Sequence, residues 1–265
     1  MITSKNNDLI RYVKKISSKP KARREEKVFF AEGRRLLSDT PSDLLVKVLV
    51  SEDFSYGDTP ADRKLQDVLN TCGDIEEVSA GVFSEISDTK HSQGIAAIVR
   101  QPSYQLSELN SDDPLLLVLE NVQDPGNLGT MVRTSLGAGA DGIVMTKDCV
   151  DIFSPKVVRS TMGAIYRMPF FFVENASEAI DKLRGKVRFF AASLGGEKTY
   201  DRCDFTGGTA FLIGNEGNGL REETIKACDE EMLIPMEGGL ESLNAAMAAG
   251  ILLYEAHRQR HEDLV

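Results

Sequence analysis

No stretch of the 265-residue sequence stays apolar for the roughly 18 residues that a membrane-spanning helix needs. Its first residues, MITSKNNDLIRYVKK, lack the apolar core of a signal peptide. Both absences point to a cytoplasmic protein with no membrane partner. Cysteine is scarce and scattered: Cys72, Cys149, Cys203 and Cys228 form no C-x-x-C pair, and His91, His257 and His261 show no ligand spacing with them. The thiols read as reduced and structural, and neither a metal site nor a disulfide framework is expected. No G-x-x-x-x-G-K-[ST] occurs, which removes a P-loop. Residues 137–142, G-A-G-A-D-G, match the letters of G-x-G-x-x-G but follow a helical stretch and precede a strand. A dinucleotide fingerprint needs the opposite context, so these glycines read as a helix C-cap and a tight turn.

What is present is an ordinary globular composition, 42% hydrophobic and 27% charged, with a net charge of −10. The charge is unevenly placed. Residues 1–35 carry eleven Lys/Arg against four acids, about +7, which leaves about −17 for the remainder. A basic end on an acidic body suggests a local phosphate-binding surface, and the candidates are Lys14, Lys15, Lys19, Lys21, Arg23, Arg24, Arg34 and Arg35.

Leu9, Ile10, Val13 and Ile16 recur at helical spacing, which predicts an amphipathic helix over residues 5–17, broken at Pro20. VFFAEGRRLL reads as a short strand entering a helix, and 44–51 and 94–100 as strands, together a small α/β unit over residues 1–100. Residues 101–113 are polar and without apolar period, the composition of a linker. Over 114–265, apolar strands at 115–120, 142–145, 187–193, 209–214 and 232–235 alternate with helices at 127–137, 155–163, 221–227 and 242–259. That alternation predicts an α/β domain with a parallel sheet covered on both faces.

In such a sheet, ligands bind beyond the C-terminal strand ends. Three of these ends carry unusual chemistry: ENVQDPGNLGTMVRT, GNEGNGL, and IPMEGGLESLNAAMAAGILLYE. Asn127 is most simply a helix cap, Arg133 a surface arginine pointing away from Leu128, Val132 and Leu136, and Ser242 an N-cap with Asn244 in the first turn. Glu216 stands out, because a glycine-rich turn after a core strand has no local need of a carboxylate. Gly238-Gly239, before Glu241, suits a place where backbone passes close to backbone or ligand.

Three motifs in these loops, N-L-G-x-x-x-R-T (Asn127–Thr134), I-G-N-E-G-x-G-L (Ile213–Leu220) and I-P-M-x-G-x-x-E-S-L-N-x-A (Ile234–Ala246), resemble the SpoU family of SPOUT RNA methyltransferases. The upstream segments FFAEGRRLL and HSQGIAAIV are similar to the L30e-like substrate-binding domain of its rRNA-directed members. The resemblance implies a C-terminal α/β trefoil-knot domain, a fold that periodicity could never suggest because true knots are so rare. It implies S-adenosylmethionine bound by Gly214, Ile234 and Leu243, with Leu212, Met236 and Ala246 nearby, and a homodimer to which the last helix contributes.

The implied reaction is methylation of a ribose 2′-hydroxyl in RNA rather than DNA, with 23S rRNA as the expected substrate. The resemblance gives Arg133 the central role, supported by Asn127, Glu216, Ser242 and Asn244. A guanidinium is a poor general base, so Arg133 is expected to hold phosphate and stabilise developing alkoxide charge. Glu216 is expected to orient Arg133 or Asn244. The alternatives are a tRNA 2′-O-methyltransferase and a non-catalytic RNA-binding ribosome-assembly factor.

Overall fold

The computed structural model describes residues 1–89, 91–238 and 242–261. The chain begins with α1 (Asp8–Ser18), α2 (Pro20–Glu26), β1 (Val28–Glu32), α3 (Arg34–Ser38), β2 (Leu45–Ser51), α4 (Pro60–Thr71), β3 (Ile75–Val78), α5 (Ala80–Ile86) and β4 (Ile95–Arg100). It continues with β5 (Leu115–Leu119), α6 (Pro125–Gly137), β6 (Gly142–Thr146), α7 (Pro155–Ser160), β7 (Phe170–Val173), α8 (Ala176–Leu183), β8 (Arg188–Ala192) and β9 (Lys198–Thr199). The last elements are β10 (Thr209–Ile213), α9 (Glu222–Ala227), β11 (Glu230–Leu233) and α10 (Ala245–Arg260). Two compact units result: Met1–Pro102 with Asp151–Tyr166, and Ser103–Val150 with Arg167–Val265.

The first unit is built on a four-stranded sheet in the order β1-β4-β2-β3. Asn7 caps α1 by accepting from the Leu9 N–H, and the helix then buries Ile10, Val13 and Ile16 against Phe30, Leu49, Val78 and Ile98. Pro20 does end α1, but it also opens α2 at the first helical position, where its missing N–H costs nothing. The segment Asp151–Tyr166 belongs to this core. Phe153 and Tyr166 lie 5.2 and 6.2 Å from the Phe29 ring, and Asp151 accepts from the buried Arg23 guanidinium at 2.8 Å.

The second unit holds a seven-stranded sheet in the order β7-β6-β5-β10-β8-β11-β9, with every pairing parallel. β5, β6 and β10 are buried along their whole length, as strands covered on both faces must be. The edge strands β7 and β9 and the helix α8 were not anticipated from the sequence. Residues 103–113, read as linker, contain a 3₁₀ turn at Leu106–Glu108, and Tyr104, Leu106 and Leu109 pack against the core of this unit. Gly238 has a left-handed φ of +72°, while the expectations for Gly239 and Glu241 fall outside the described residues. Among the described residues, no helix is long and apolar enough to cross a membrane.

Candidate active site

The C-terminal ends of the adjacent strands β5 and β10 carry the first two of the three loops. After β5, Asp124 caps α6 by accepting from the Asn127 N–H at 2.8 Å, with Pro125 at the first helical position. Asn127 is therefore not the cap, and its side chain is left free for other work. After β10, Asn215 and Gly219 close a tight turn through reciprocal backbone hydrogen bonds of 3.0 and 2.8 Å. A Cβ on Gly214 would sit 2.2 Å from the Gly219 carbonyl carbon, so only glycine permits this return of the chain. The turn lifts Glu216 toward the β5 loop.

Glu216 accepts three hydrogen bonds there, from the Gln123 N–H at 3.1 Å, the Asp124 N–H at 3.0 Å and the Asn127 side-chain amide at 3.0 Å. Asn127 then accepts through Oδ1 from Asn244 Nδ2 at 2.8 Å. Asn244 in turn caps α10, its Oδ1 accepting from the Ala246 and Met247 N–H groups at 2.9 and 3.2 Å. The cap is Asn244 and not Ser242. The polarity of this relay is fixed at both ends, by a carboxylate that only accepts and by helix N–H groups that only donate. Partial burial pushes the Glu216 carboxyl up, but the Asn127 amide and the Asp124 and Gln123 N–H groups outweigh it and hold the group below its ordinary range.

The relay joins three of the five expected catalytic residues. Arg133 lies just over two turns into α6, exposed, with no hydrogen bond or ion pair among the described residues. Glu216 thus reaches Asn244 through Asn127 and does not bond Arg133. Ser242 is exposed and likewise stands outside the relay. Four residues unnoticed in the sequence, Glu120, Asp148, Arg221 and Thr224, form a second polar cluster in the segments that follow β5, β6 and β10. Glu120, 1% exposed at the end of β5, accepts from the Arg221 N–H at 2.9 Å and the Thr224 hydroxyl at 2.8 Å. Arg221 also pairs with Glu120 and Asp148 through its guanidinium. The charged end of LLLVLE was the available signal for this cluster.

The residues expected to hold a cofactor are Leu212 and Gly214, both buried on β10 and at its end, half-buried Ile234 and Met236, Leu243 at 36% exposure, and buried Ala246. Met236 and Leu243 lie outside helix and strand, and their backbone N–H and C=O groups make no hydrogen bond among the described residues. Apolar side chains beside free backbone donors and acceptors suit a heteroaromatic base such as adenine, so this set fits S-adenosylmethionine. A concavity of about 500 Å³ near Lys186, Arg188, Thr209 and Asp229 opens at the opposite end of the sheet, by the N-termini of β8 and β10. In a parallel sheet that is the wrong end for the chemistry.

The expected RNA-contacting cations divide into three groups. Lys14 pairs with Glu85 at 2.9 Å, Lys15 with Glu26 at 2.6 Å and Lys21 with Glu25 at 3.7 Å. Arg23 is 2% exposed and donates to the Ile16 and Ser17 carbonyls as well as Asp151, so it is a structural residue and not a surface contact. Arg34 is also turned inward, bonded to Asp62 at 2.7 Å and lying 4.6 Å above the Phe54 ring. Lys19, Arg24 and Arg35 remain exposed with no ion pair among the described residues.

A parallel α/β sheet with an amide–carboxylate relay at its strand ends, built from the three motif loops, is the arrangement of a SPOUT-class methyltransferase. The chain belongs to the SpoU rRNA Methylase family, whose family model matches residues 114–254. Residues 7–97 match the MRM3-like substrate binding domain. The chain is 30% identical to the 23S rRNA (guanosine(2553)-2′-O)-methyltransferase RlmP of Bacillus subtilis, over 96% of this chain and 97% of that one. It is 34% identical to the 23S rRNA (guanosine-2′-O-)-methyltransferase RlmB of Vibrio cholerae, over 74% and 82% respectively. Among solved structures it is similar to the AdoMet-bound rRNA methyltransferase from Sinorhizobium meliloti, with a TM-score of 0.84, 29% identity and 97% of each chain covered.

Proposed function

We propose that this protein transfers a methyl group from S-adenosylmethionine to a ribose 2′-hydroxyl of 23S rRNA, acting as a homodimer in the cytoplasm. The observation that carries the reading is the relay Glu216–Asn127–Asn244, three polar side chains from three strand-end loops held in one hydrogen-bonded line. When bound, the cofactor supplies an electrophilic methyl carbon on a sulfonium. Gly214, Ile234, Met236 and Leu243 would hold it, with Leu212 and Ala246 behind.

A 2′-hydroxyl is a weak nucleophile at neutral pH and needs electrostatic help as its oxygen gains charge. Arg133 lies on α6, the helix that also carries Asn127, has no ion pair among the described residues, and is suited to gripping the target phosphate and stabilising that charge. Asn127 and Asn244 are oriented by Glu216, and exposed Ser242, two residues before Asn244, is suited to contact with the ribose. The dimer reading rests on α10, where Met247 at 59% and Tyr254 at 52% exposure lie seven residues apart on one face, close to Leu243.

The test is transfer of labelled methyl to total RNA from a strain lacking the gene, followed by separation of 23S, 16S and tRNA. Label in 23S that disappears with Arg133→Ala, while calorimetry still shows cofactor binding, is the expected result. Label in tRNA alone would replace the substrate, and no label despite cofactor binding would favour an RNA-binding role without turnover.

A further inference from the structure

We propose that Gln123 is a positioning residue for Glu216, its side-chain amide pinning the turn that aims the carboxylate. The proposal deepens the methyl-transfer reading and rests on it. All three donors to Glu216 come from the short stretch Gln123–Asn127, so the shape of that turn sets where the carboxylate lies. The turn does not hold itself. It starts at Asn121, whose φ of +55° lies in the left-handed region that asparagine tolerates better than most residues with a side chain, so the choice of this conformation here is enforced by the partners of Asn121.

Gln123 supplies that enforcement. Its Nε2 donates to Asn121 Oδ1 at 2.8 Å and to the Asp148 carbonyl at 2.5 Å, so both amide hydrogens are used. From the other side, Asn215 Nδ2 donates to the Asn121 carbonyl at 2.9 Å. The Asp148 side of the clip is itself held, because the Asp148 carboxylate accepts from Thr146 and Arg221. The same residue that is pinned by its side chain also donates its backbone N–H to Glu216, so releasing the side chain frees a ligand of the carboxylate directly. With both hydrogens spent inside the protein, the exposed amide has no donor left for RNA.

Gln123→Met keeps the length and neutrality of the side chain and removes both donors. In the full-length protein, with 23S rRNA from a strain lacking the gene, it should lower kcat roughly tenfold or more, the scale on which small misplacements act. The KM for RNA and the Kd for S-adenosylmethionine should stay within about twofold of the parent. In a Glu216→Ala background, single-turnover rates should show no further loss, because Gln123 acts through Glu216. An unchanged kcat, or an equal loss in both backgrounds, would overturn the proposal. A second readout needs neither RNA nor turnover: the Glu216 carboxyl carbon, followed by NMR against pH, should titrate higher in Gln123→Ala than in the parent. An identical titration would also overturn it. A parent protein inactive on every RNA would instead sink the methyl-transfer reading, and the titration would still decide what Gln123 does.

Discussion

Gly214→Ala is the perturbation whose consequence follows most directly from the geometry. A Cβ at this buried position would lie 2.2 Å from the Gly219 carbonyl carbon and 2.2 Å from the Leu220 nitrogen, both backbone atoms that no rotamer change can move. Relief requires the two sides of the turn to part by about 1.5 Å, to reach ordinary contact distance. That movement breaks the reciprocal Asn215–Gly219 backbone bonds, each worth about 1 kcal/mol net. Overpacking adds about 1 kcal/mol or more, for a total near 3 kcal/mol. For a chain of this size the midpoint of thermal unfolding should fall by about 6–12 °C. Glu216 follows two residues later, so turnover should fall by up to about 100-fold, the cost of a 1 Å misplacement. Gly217→Ala is the matched control: its Cβ would meet only Asn215 Oδ1, at 3.6 Å, and stability should change by less than about 0.5 kcal/mol. Differential scanning calorimetry and methyl-transfer rates on the two variants decide the matter. A Gly214→Ala protein with the parent's melting temperature and turnover would refute the close return of the chain.

Other expectations concern the first unit. Hydrogen bonds from Thr59 and then Arg34 lower the Asp62 carboxyl to about 2, so its stabilising contribution is complete above the ordinary Asp range and is lost as pH falls from about 4 toward 2. Denaturant melts across that window should show a steeper loss for the parent than for Asp62→Asn. Phe153→Ala should destabilise the protein by about 3 kcal/mol, since the ring is 4% exposed and packs on Phe29. By the same reasoning residues 1–102 expressed alone should lack cooperative unfolding, because Asp151–Tyr166 supplies part of their core. Replacing Arg24 and Arg35 by Gln should weaken RNA binding uniformly across sequences and reduce the salt slope by about 1 for each phosphate no longer neutralised. Arg23→Gln should instead lower the melting temperature.

Much of the second unit was legible because its central strands are continuous apolar runs and the segments between them are punctuated by Gly and Pro. β7 escaped notice because a four-residue run, Phe170–Val173, is too short to carry a period. Its partner α8 did carry a signal, with Asn175 capping the Glu178 N–H ahead of Ala179, Ile180 and Leu183. Asp124-Pro125 likewise marks the start of α6 by the preference of proline for the first helical position, and reading it would have freed Asn127 from the cap. The relay itself could not be read from local pattern, since Asn127 meets Glu216 and Asn244 across 89 and 117 residues. The inward turn of Arg23 depends on Asp151, 128 residues away, and inside a basic run it looks like any other surface cation. The motifs singled out Asn127, Glu216 and Asn244, and the fold determined that they touch.

The central claim is that this chain places a methyl group on a ribose oxygen of the large ribosomal RNA. Mass spectrometry of nucleosides digested from purified 23S rRNA, compared between cells with and without the gene, tests it most directly. The account predicts one 2′-O-methyl nucleoside that is lost with the gene, returns with the parent protein and does not return with Arg133→Ala. An identical set of 2′-O-methyl nucleosides in both strains, with a difference confined to tRNA or absent altogether, would contradict it.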